Sequence, residues 1–201
     1  EKRTEIVENG KIGTVVAANK TEYGIPEGVT EIGSSAFKGF TTLRSIVIPK
    51  GITLIGYEAF NGCCSLENIV IPDSVTEIGG SAFKGCTALK SVVIPKGVTK
   101  VELSVFNGCT SLESVTIPTG VTKIFKQAFS GCSSLKSITI PEGVTHIDEW
   151  TFANCSALEN IILPNTVEEI GDDAFRGCTS LENITLPDSI TQLGSNLFKD
   201  C

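Results

Sequence analysis

Apolar residues recur along this chain at one fixed spacing. In a typical unit, Leu43 is followed by Ile46 and Ile48, with variable residues between them. This alternation predicts a short strand that buries one face. Pro49 comes next, and because proline lacks an amide hydrogen it is expected to end the strand and turn the chain.

The spacing is 23 residues and is shared by the rarest residue types. Eight of the ten phenylalanines and seven of the eight cysteines keep the same register as the prolines. The prolines that mark the units are Pro26, Pro49, Pro72, Pro95, Pro118, Pro141, Pro164 and Pro187. A repeat of this length predicts a solenoid, in which each unit buries its apolar residues only by stacking on its neighbours.

The remainder of the unit predicts two further features. Ile52-Thr53-Leu54-Ile55 predicts a second short extended segment, and Glu58-Ala59-Phe60 predicts one helical or 3-10 turn. Gly62 is expected to close that turn in a left-handed conformation, since its equivalents are glycines, Asn154 and Asp200. The predicted fold class is therefore an α/β repeat solenoid with short parallel strands and short helical or 3-10 turns.

The pattern also predicts the domain organisation. Residues 1–25 are a degenerate repeat and are interpreted as an N-terminal cap, with a strand or hairpin at Ile12–Ala18. Residues 26–201 are predicted to form seven full units and one truncated unit, with no C-terminal cap.

The unit LxxIxIPxxVTxIGxxAFxGCxx resembles the BspA-like (Treponema pallidum-type) leucine-rich repeat family over roughly residues 23–201. The resemblance implies a right-handed leucine-rich-repeat coil in a secreted or surface-exposed protein, with adhesion as the natural role. It defines no catalytic residue. Glu102, Phe125 and Asp148 depart from the pattern, because each stands where the repeat has glycine, and they predict a locally distinct surface.

The composition of the chain limits the classes of partner that it is expected to bind. The net charge of −7 argues against nucleic acid, which is bound by clustered lysine and arginine. No apolar run approaches the ~20 residues that span a bilayer, so no direct membrane insertion is expected of this chain. We also expect no cofactor.

Cysteine and histidine are the residue types of this chain that could form disulfides, act in catalysis or bind a metal. Equivalent cysteines in stacked units would lie ~4.8 Å apart with parallel side chains, which favours buried thiols over disulfides. Cys64 lies outside the register and is expected to be exposed. His146 is the only histidine and occupies a variable position, so neither a catalytic nor a metal-binding role is predicted for it.

Two surfaces remain as binding candidates. The first is the outward face of the predicted strands, which is small, β-branched or amide-bearing and carries no charge. Its residues are Ser45, Val47, Asn68, Val70, Ser91, Val93, Ser114, Thr116, Ser137, Thr139, Asn160, Ile162, Asn183 and Thr185. The same composition would also suit an open strand face without a ligand.

The second candidate is an irregular patch formed by Leu103, Phe125, His146 and Trp150. Trp150 stands at a position that is polar in the other units, which indicates either a binding hot spot or packing across a wider coil.

The sequence therefore predicts a non-enzymatic protein at the cell surface or outside the cell. It would bind a protein or glycan, including host matrix or another cell surface. The alternative is a structural spacer that displays another domain of a longer protein.

Overall fold

In a computed structural model that describes residues 7–15 and 19–201, the chain winds into a parallel-strand solenoid of about eight coils. Seven coils contribute one strand to each of two rows, and the last coil contributes a strand to the second row only. The first row consists of β3 (Glu22–Gly24), β5 (Ser45–Val47), β7 (Asn68–Ile69), β9 (Ser91–Val93), β11 (Ser114–Thr116), β13 (Ser137–Thr139) and β15 (Asn160–Ile162). The second row begins with the hairpin β1 (Val7–Glu8) and β2 (Lys11–Ile12) and continues with β4 (Glu31–Ile32), β6 (Leu54–Ile55), β8 (Glu77–Ile78), β10 (Lys100–Val101), β12 (Lys123–Ile124), β14 (His146–Ile147), β16 (Glu169–Ile170) and β17 (Gln192–Leu193).

The pairing follows the 23-residue period. In the first row Ser91 pairs with Ser114, and in the second row Ile147 pairs with Ile170, both in parallel. The first row forms the sheets β3-β5-β7, β9-β11 and β13-β15. The second row forms two five-stranded sheets that are separated between β8 and β10.

The predicted helical or 3-10 turns are wrong, since no helix occurs among the described residues. Around Phe37 alternate amides bond in different directions. Ala36 N–H donates to Gly33 O within the coil at 3.2 Å, whereas Phe37 N–H donates to Ala59 O of the next coil at 2.7 Å. A 3-10 helix needs consecutive local bonds, so a ladder between coils replaces it.

A left-handed residue opens each of these turn segments. Ser35, with φ +57°, and its equivalents in every later coil, including Trp150 with φ +59°, have positive φ. The predicted left-handed stop at Gly62 is confirmed by φ +75°, and Asn154 and Asp200 adopt the same region at +60° and +62°.

Two local expectations also needed correction. The N-terminal hairpin lies at Val7–Ile12, earlier than the predicted Ile12–Ala18, of which residues 16–18 lie outside the described residues. Thr185 is exposed but belongs to no strand, because Asn183–Thr185 lies in the last coil and forms no ladder with β15.

The core is a column of stacked side chains. Seven phenylalanines, from Phe37 to Phe175, are fully buried. Successive rings are 5.2 to 5.8 Å apart, from the Phe37–Phe60 pair to the Phe175–Phe198 pair, and are nearly parallel. Centroid distances in this range are favourable for aromatic pairs.

The cysteines lie beside this column as free thiols, as predicted. Each buried thiol also donates a hydrogen bond, for example from Cys63 Sγ to Phe37 O at 3.1 Å and from Cys109 Sγ to Phe83 O at 3.1 Å. None of the described residues belongs to a helix long and apolar enough to cross a membrane.

Candidate functional site

The first strand row exposes the surface that the sequence singled out, which we call the strand face. All fourteen of its residues are exposed. The exposed fraction is 71% for Val47, 80% for Val70 and 64% for Val93, and Ile162 reaches 62% further along. Apolar side chains this open to water in adjacent coils form the kind of strip that contacts partners.

The strand face is held rigid from beneath. Ile46, Ile69 and Val92 alternate with the exposed residues on the same strands and are buried in the core. Parallel pairing fixes the register, with Ser45 opposite Asn68. The face is therefore an ordered array of side chains at the spacing of β-strands.

A row of charged residues borders this array, starting with Arg44 and Glu67 and alternating in sign through Glu159. Arg44 Nη1 lies 4.0 Å from Glu67 Oε1. Within the described part of the chain, no other pair along this row comes within salt-bridge distance. Exposed pairs of this kind contribute little stability, so the row serves mainly as a polar border.

Leu103 of the second candidate patch and Tyr57, which sequence reasoning missed, lie on opposite sides of Gly80. They belong to the two coils that adjoin it, and both are about half exposed. A Cβ on Gly80 would lie 3.6 Å from Tyr57 Cδ2 and 3.8 Å from Leu103 Cβ. The glycine between two large apolar residues at one repeat position is the sequence signal that could have revealed this pair.

The second strand row is interrupted where the repeat loses its glycine. An added Cβ at Gly56 would lie 2.6 Å from Ser34 N, and one at Gly79 would lie 2.6 Å from Tyr57 N. At these glycines the coils approach so closely that a side chain would clash with the backbone of the preceding coil. Glu102 occupies the equivalent position in the coil of β10, and β8 and β10 do not pair.

Asp148 has a similar effect two coils later. There β12 and β14 keep the single pair Ile124 and Ile147, whereas β14 and β16 keep two pairs. Phe125 differs, because its N–H still donates to Val101 O at 2.8 Å. The locally distinct surface expected from these departures is thus a set of openings between coils.

Phe125 and His146 meet in one of these openings, which we call the His146 cleft. It consists of two adjacent hollows of about 290 and 370 Å³ whose linings share His146 and Asp148. The smaller hollow is lined by Thr122, Lys123, Ile124, Phe125, Thr145, His146 and Asp148. The larger hollow is lined by Lys126, His146, Ile147, Asp148, Glu149, Glu169, Ile170, Gly171, Asp172, Gln192 and Gly194.

The charged groups of the cleft are mostly paired with each other. Lys126 Nζ lies 2.5 Å from Glu149 Oε2, and His146 Nε2 lies 3.3 Å from Glu169 Oε2. Burial raises the pKa of the Asp148 carboxyl, although the Lys126 backbone amide and the nearby His146 act in the opposite direction.

Trp150 lies outside the cleft lining and is half-buried. The Arg176 guanidinium lies 5.5 Å from the centre of its ring, within the range of a cation–π contact. The structure therefore separates the predicted second patch into three places. Phe125 and His146 share a cleft, Leu103 and Tyr57 flank Gly80, and Trp150 pairs with Arg176.

The thiols are poorly suited to nucleophilic chemistry. Burial raises the pKa of Cys63 and of Cys109 to about 12, so the reactive thiolate is disfavoured. Cys64 is exposed, and its Sγ lies 3.7 Å from Thr41 O, where other coils place a threonine or serine hydroxyl. Within residues 7–15 and 19–201, no three histidine, cysteine or acidic side chains are grouped as a metal site would require.

This architecture is similar to that of known leucine-rich repeat proteins. The sequence model of the BspA type leucine-rich repeat region matches residues 17–118 and 82–201. A leucine-rich repeat protein from Bacteroides ovatus has a similar structure, with 33% identity and a TM-score of 0.87. That match covers 98% of this chain and 60% of the other protein, so the chain spans less than two thirds of that relative.

Two further solved structures share the fold. The leucine-rich repeat protein of T. pallidum is 29% identical with a TM-score of 0.80, over 90% of this chain and 88% of that one. A leucine-rich cell surface protein from Faecalibacterium prausnitzii is 24% identical with a TM-score of 0.53, over 98% of this chain and 84% of that one. No curated protein matches the chain.

Proposed function

Because the chain belongs to the BspA-type leucine-rich repeat family, we propose that it binds a protein or glycan partner through its strand face, outside the cell or at its surface. Proteins of this family are commonly surface-associated, and the leucine-rich repeat solenoid is typically a non-enzymatic scaffold. The proposed partners include host matrix proteins and the surface of another cell.

One observation carries this proposal. The strand face is uniformly exposed and uncharged, and it includes an apolar strip centred on Val70, whose side chain is 80% exposed. An apolar centre with a polar border is the usual anatomy of an interface. Rigidity favours binding further, since ordered backbone ladders reduce the entropy that is lost when a partner docks.

A binding panel with paired variants tests the proposal. The chain is presented to immobilised matrix proteins and glycans, and any partner found is titrated against Val70→Lys and Val70→Thr. The lysine places an unpaired charge at the centre of the strip and is expected to abolish binding. The threonine keeps the β-branched shape, which Thr116 already has at the equivalent position of another coil, and this variant is expected to retain most of the binding. Position 70 is exposed, so the free energy of unfolding should change by less than about 0.5 kcal/mol in either variant.

Trp150→Ala serves as the comparison at a distant site. If this variant loses the partner and Val70→Lys keeps it, the strand face is not the binding surface. If the panel yields no partner at all, the spacer role becomes the better account of the solenoid.

A further inference from the structure

We propose that the His146 cleft is a binding site for a neutral saccharide, separate from the strand face and independent of the function proposed for it. The smaller hollow opens on the second strand row between β12 and β14, where the ladder is reduced to one pair. The larger hollow lies beside it, along the coils of β14, β16 and β17. The smaller hollow has a volume of about 290 Å³, at the lower end of the ~300–1,000 Å³ typical of small-molecule sites, and the adjacent hollow adds about 370 Å³. A sugar ring or a short oligosaccharide fits such an opening.

The lining has the chemistry that recognises sugars. Phe125 supplies an aromatic wall in the smaller hollow, and an aromatic ring presents a negative face to the C–H bonds on one side of a pyranose. Asp148 supplies a carboxylate that can accept two hydroxyl hydrogens at once. The Thr122 hydroxyl adds a group that both donates and accepts. The Thr145 hydroxyl lies 2.7 Å from His146 Nδ1 and keeps its remaining hydrogen-bonding capacity for a ligand.

The charge arrangement favours a neutral ligand over an ionic one. Glu149 and Glu169 are engaged by Lys126 and His146. Asp172 is also occupied, because its Oδ1 accepts the Ser195 amide at 2.6 Å. Asp148 also accepts a hydrogen bond from the Lys126 backbone amide, but it forms no ion pair among the described residues, and a carboxylate has about four acceptor sites. It therefore keeps acceptor sites for a ligand, and Lys123 beside it offsets its charge.

The cleft exists because the repeat is broken there. Glycine occupies this position at Gly56, Gly79 and Gly171, and a Cβ at any of them would lie within 2.7 Å of backbone in the preceding coil. Asp148 both opens the coils and contributes its carboxylate to the opening. The comparable opening at Glu102, about 230 Å³, has no aromatic residue in its lining and provides an internal control.

The test uses the whole chain with neutral sugars as probes. Saturation-transfer NMR is recorded with the methyl glycosides of glucose, galactose and mannose and with maltose, cellobiose and lactose. Titrations are then followed by the fluorescence of Trp150, the only tryptophan, which adjoins the cleft residue Glu149. Binding of at least one of these sugars is expected.

Variants connect the signal to the cleft. Asp148→Gly restores the repeat and is expected to close the opening, which weakens binding about tenfold or more. Phe125→Leu keeps an apolar side chain and is expected to weaken binding similarly, whereas Phe125→Tyr retains the ring and should bind normally. Glu102→Gly makes the same change in the opening without an aromatic residue and should leave sugar binding unchanged.

Two results would overturn the proposal. The first is the absence of saturation transfer to every sugar in the set. The second is binding that survives both Asp148→Gly and Phe125→Leu. Because Val70→Lys alters only the strand face, its loss of a macromolecular partner and the loss of sugar binding by the cleft variants can be observed separately.

Discussion

The close approach of coils at the repeat glycine gives a prediction whose sign is informative. Gly79→Ala adds a single methyl group at a position where the Cβ would lie 2.6 Å from Tyr57 N and 2.8 Å from Gly56 C. These are backbone atoms, so no side chain can rotate away to make room. The φ of Gly79 does not lie in the left-handed region, so the added methyl group acts through space alone.

Two estimates of the cost agree. Overpacking by a methyl group costs ~1–3 kcal/mol, and the gain from reducing unfolded-state entropy is ~0.4–1 kcal/mol, which leaves a net loss of about 1.3 kcal/mol at the midpoints of the two ranges. If the coils instead separate as they do between β8 and β10, the bonds from Gly79 N to Ile55 O at 2.8 Å and from Thr76 N to Thr53 O at 2.9 Å are lost. Each such bond contributes ~0.5–1.5 kcal/mol.

Gly51→Ala is the matched control. The Cβ at Gly51 would meet only Val29 O at 3.6 Å, an ordinary contact, so this variant is expected to be neutral or stabilised by up to ~1 kcal/mol. Urea unfolding followed by circular dichroism measures both. Thermal unfolding should place Gly79→Ala about 2–8 °C below the unsubstituted chain. A Gly79→Ala midpoint equal to or above that of Gly51→Ala would refute the close-approach argument.

Three further predictions follow from the core. Phe106→Ala removes a fully buried ring from the column and should cost ~3–5 kcal/mol; an unchanged urea midpoint would contradict the stacked core. A thiol reagent at neutral pH should label Cys64 and Cys201, which are exposed, while the buried cysteines react only after unfolding. Rapid labelling of a third cysteine in the folded chain would contradict the burial of the other six. Because burial raises the pKa of Cys109 to about 12, unfolding releases thiol protons at alkaline pH, and the free energy of unfolding should fall from about pH 8.5, the ordinary thiol pKa, up to about pH 12; a flat profile in that range would refute it.

The repeat sequence alone was enough to predict which side chains face the core. The pattern within one unit is a local property, because the proline, the alternating apolar residues and the glycine position all lie within 23 consecutive residues. This is why the strand at Ser45–Val47, the exposure of Val70 and the left-handed residue at Asn154 could all be predicted. The departures at Glu102 and Asp148 were also visible in the sequence as a change of surface.

Only the tertiary structure decided which carbonyl each backbone N–H donates to. The segment around Ala59-Phe60 has the composition of a helical turn, but the Phe60 N–H donates to Ala82 O of the next coil at 2.7 Å. A local bond and a bond between coils compete for the same donor, and the period says nothing about which is formed.

Contacts across coils were likewise beyond the sequence. Two examples join different units: the hydrogen bond from Cys63 Sγ to Phe37 O, and the cleft that Phe125 and His146 line together. The repeat determines the position of each residue within its own coil. The separation between two coils depends on the side chains of both, which is why only the assembled stack decided where the clefts open.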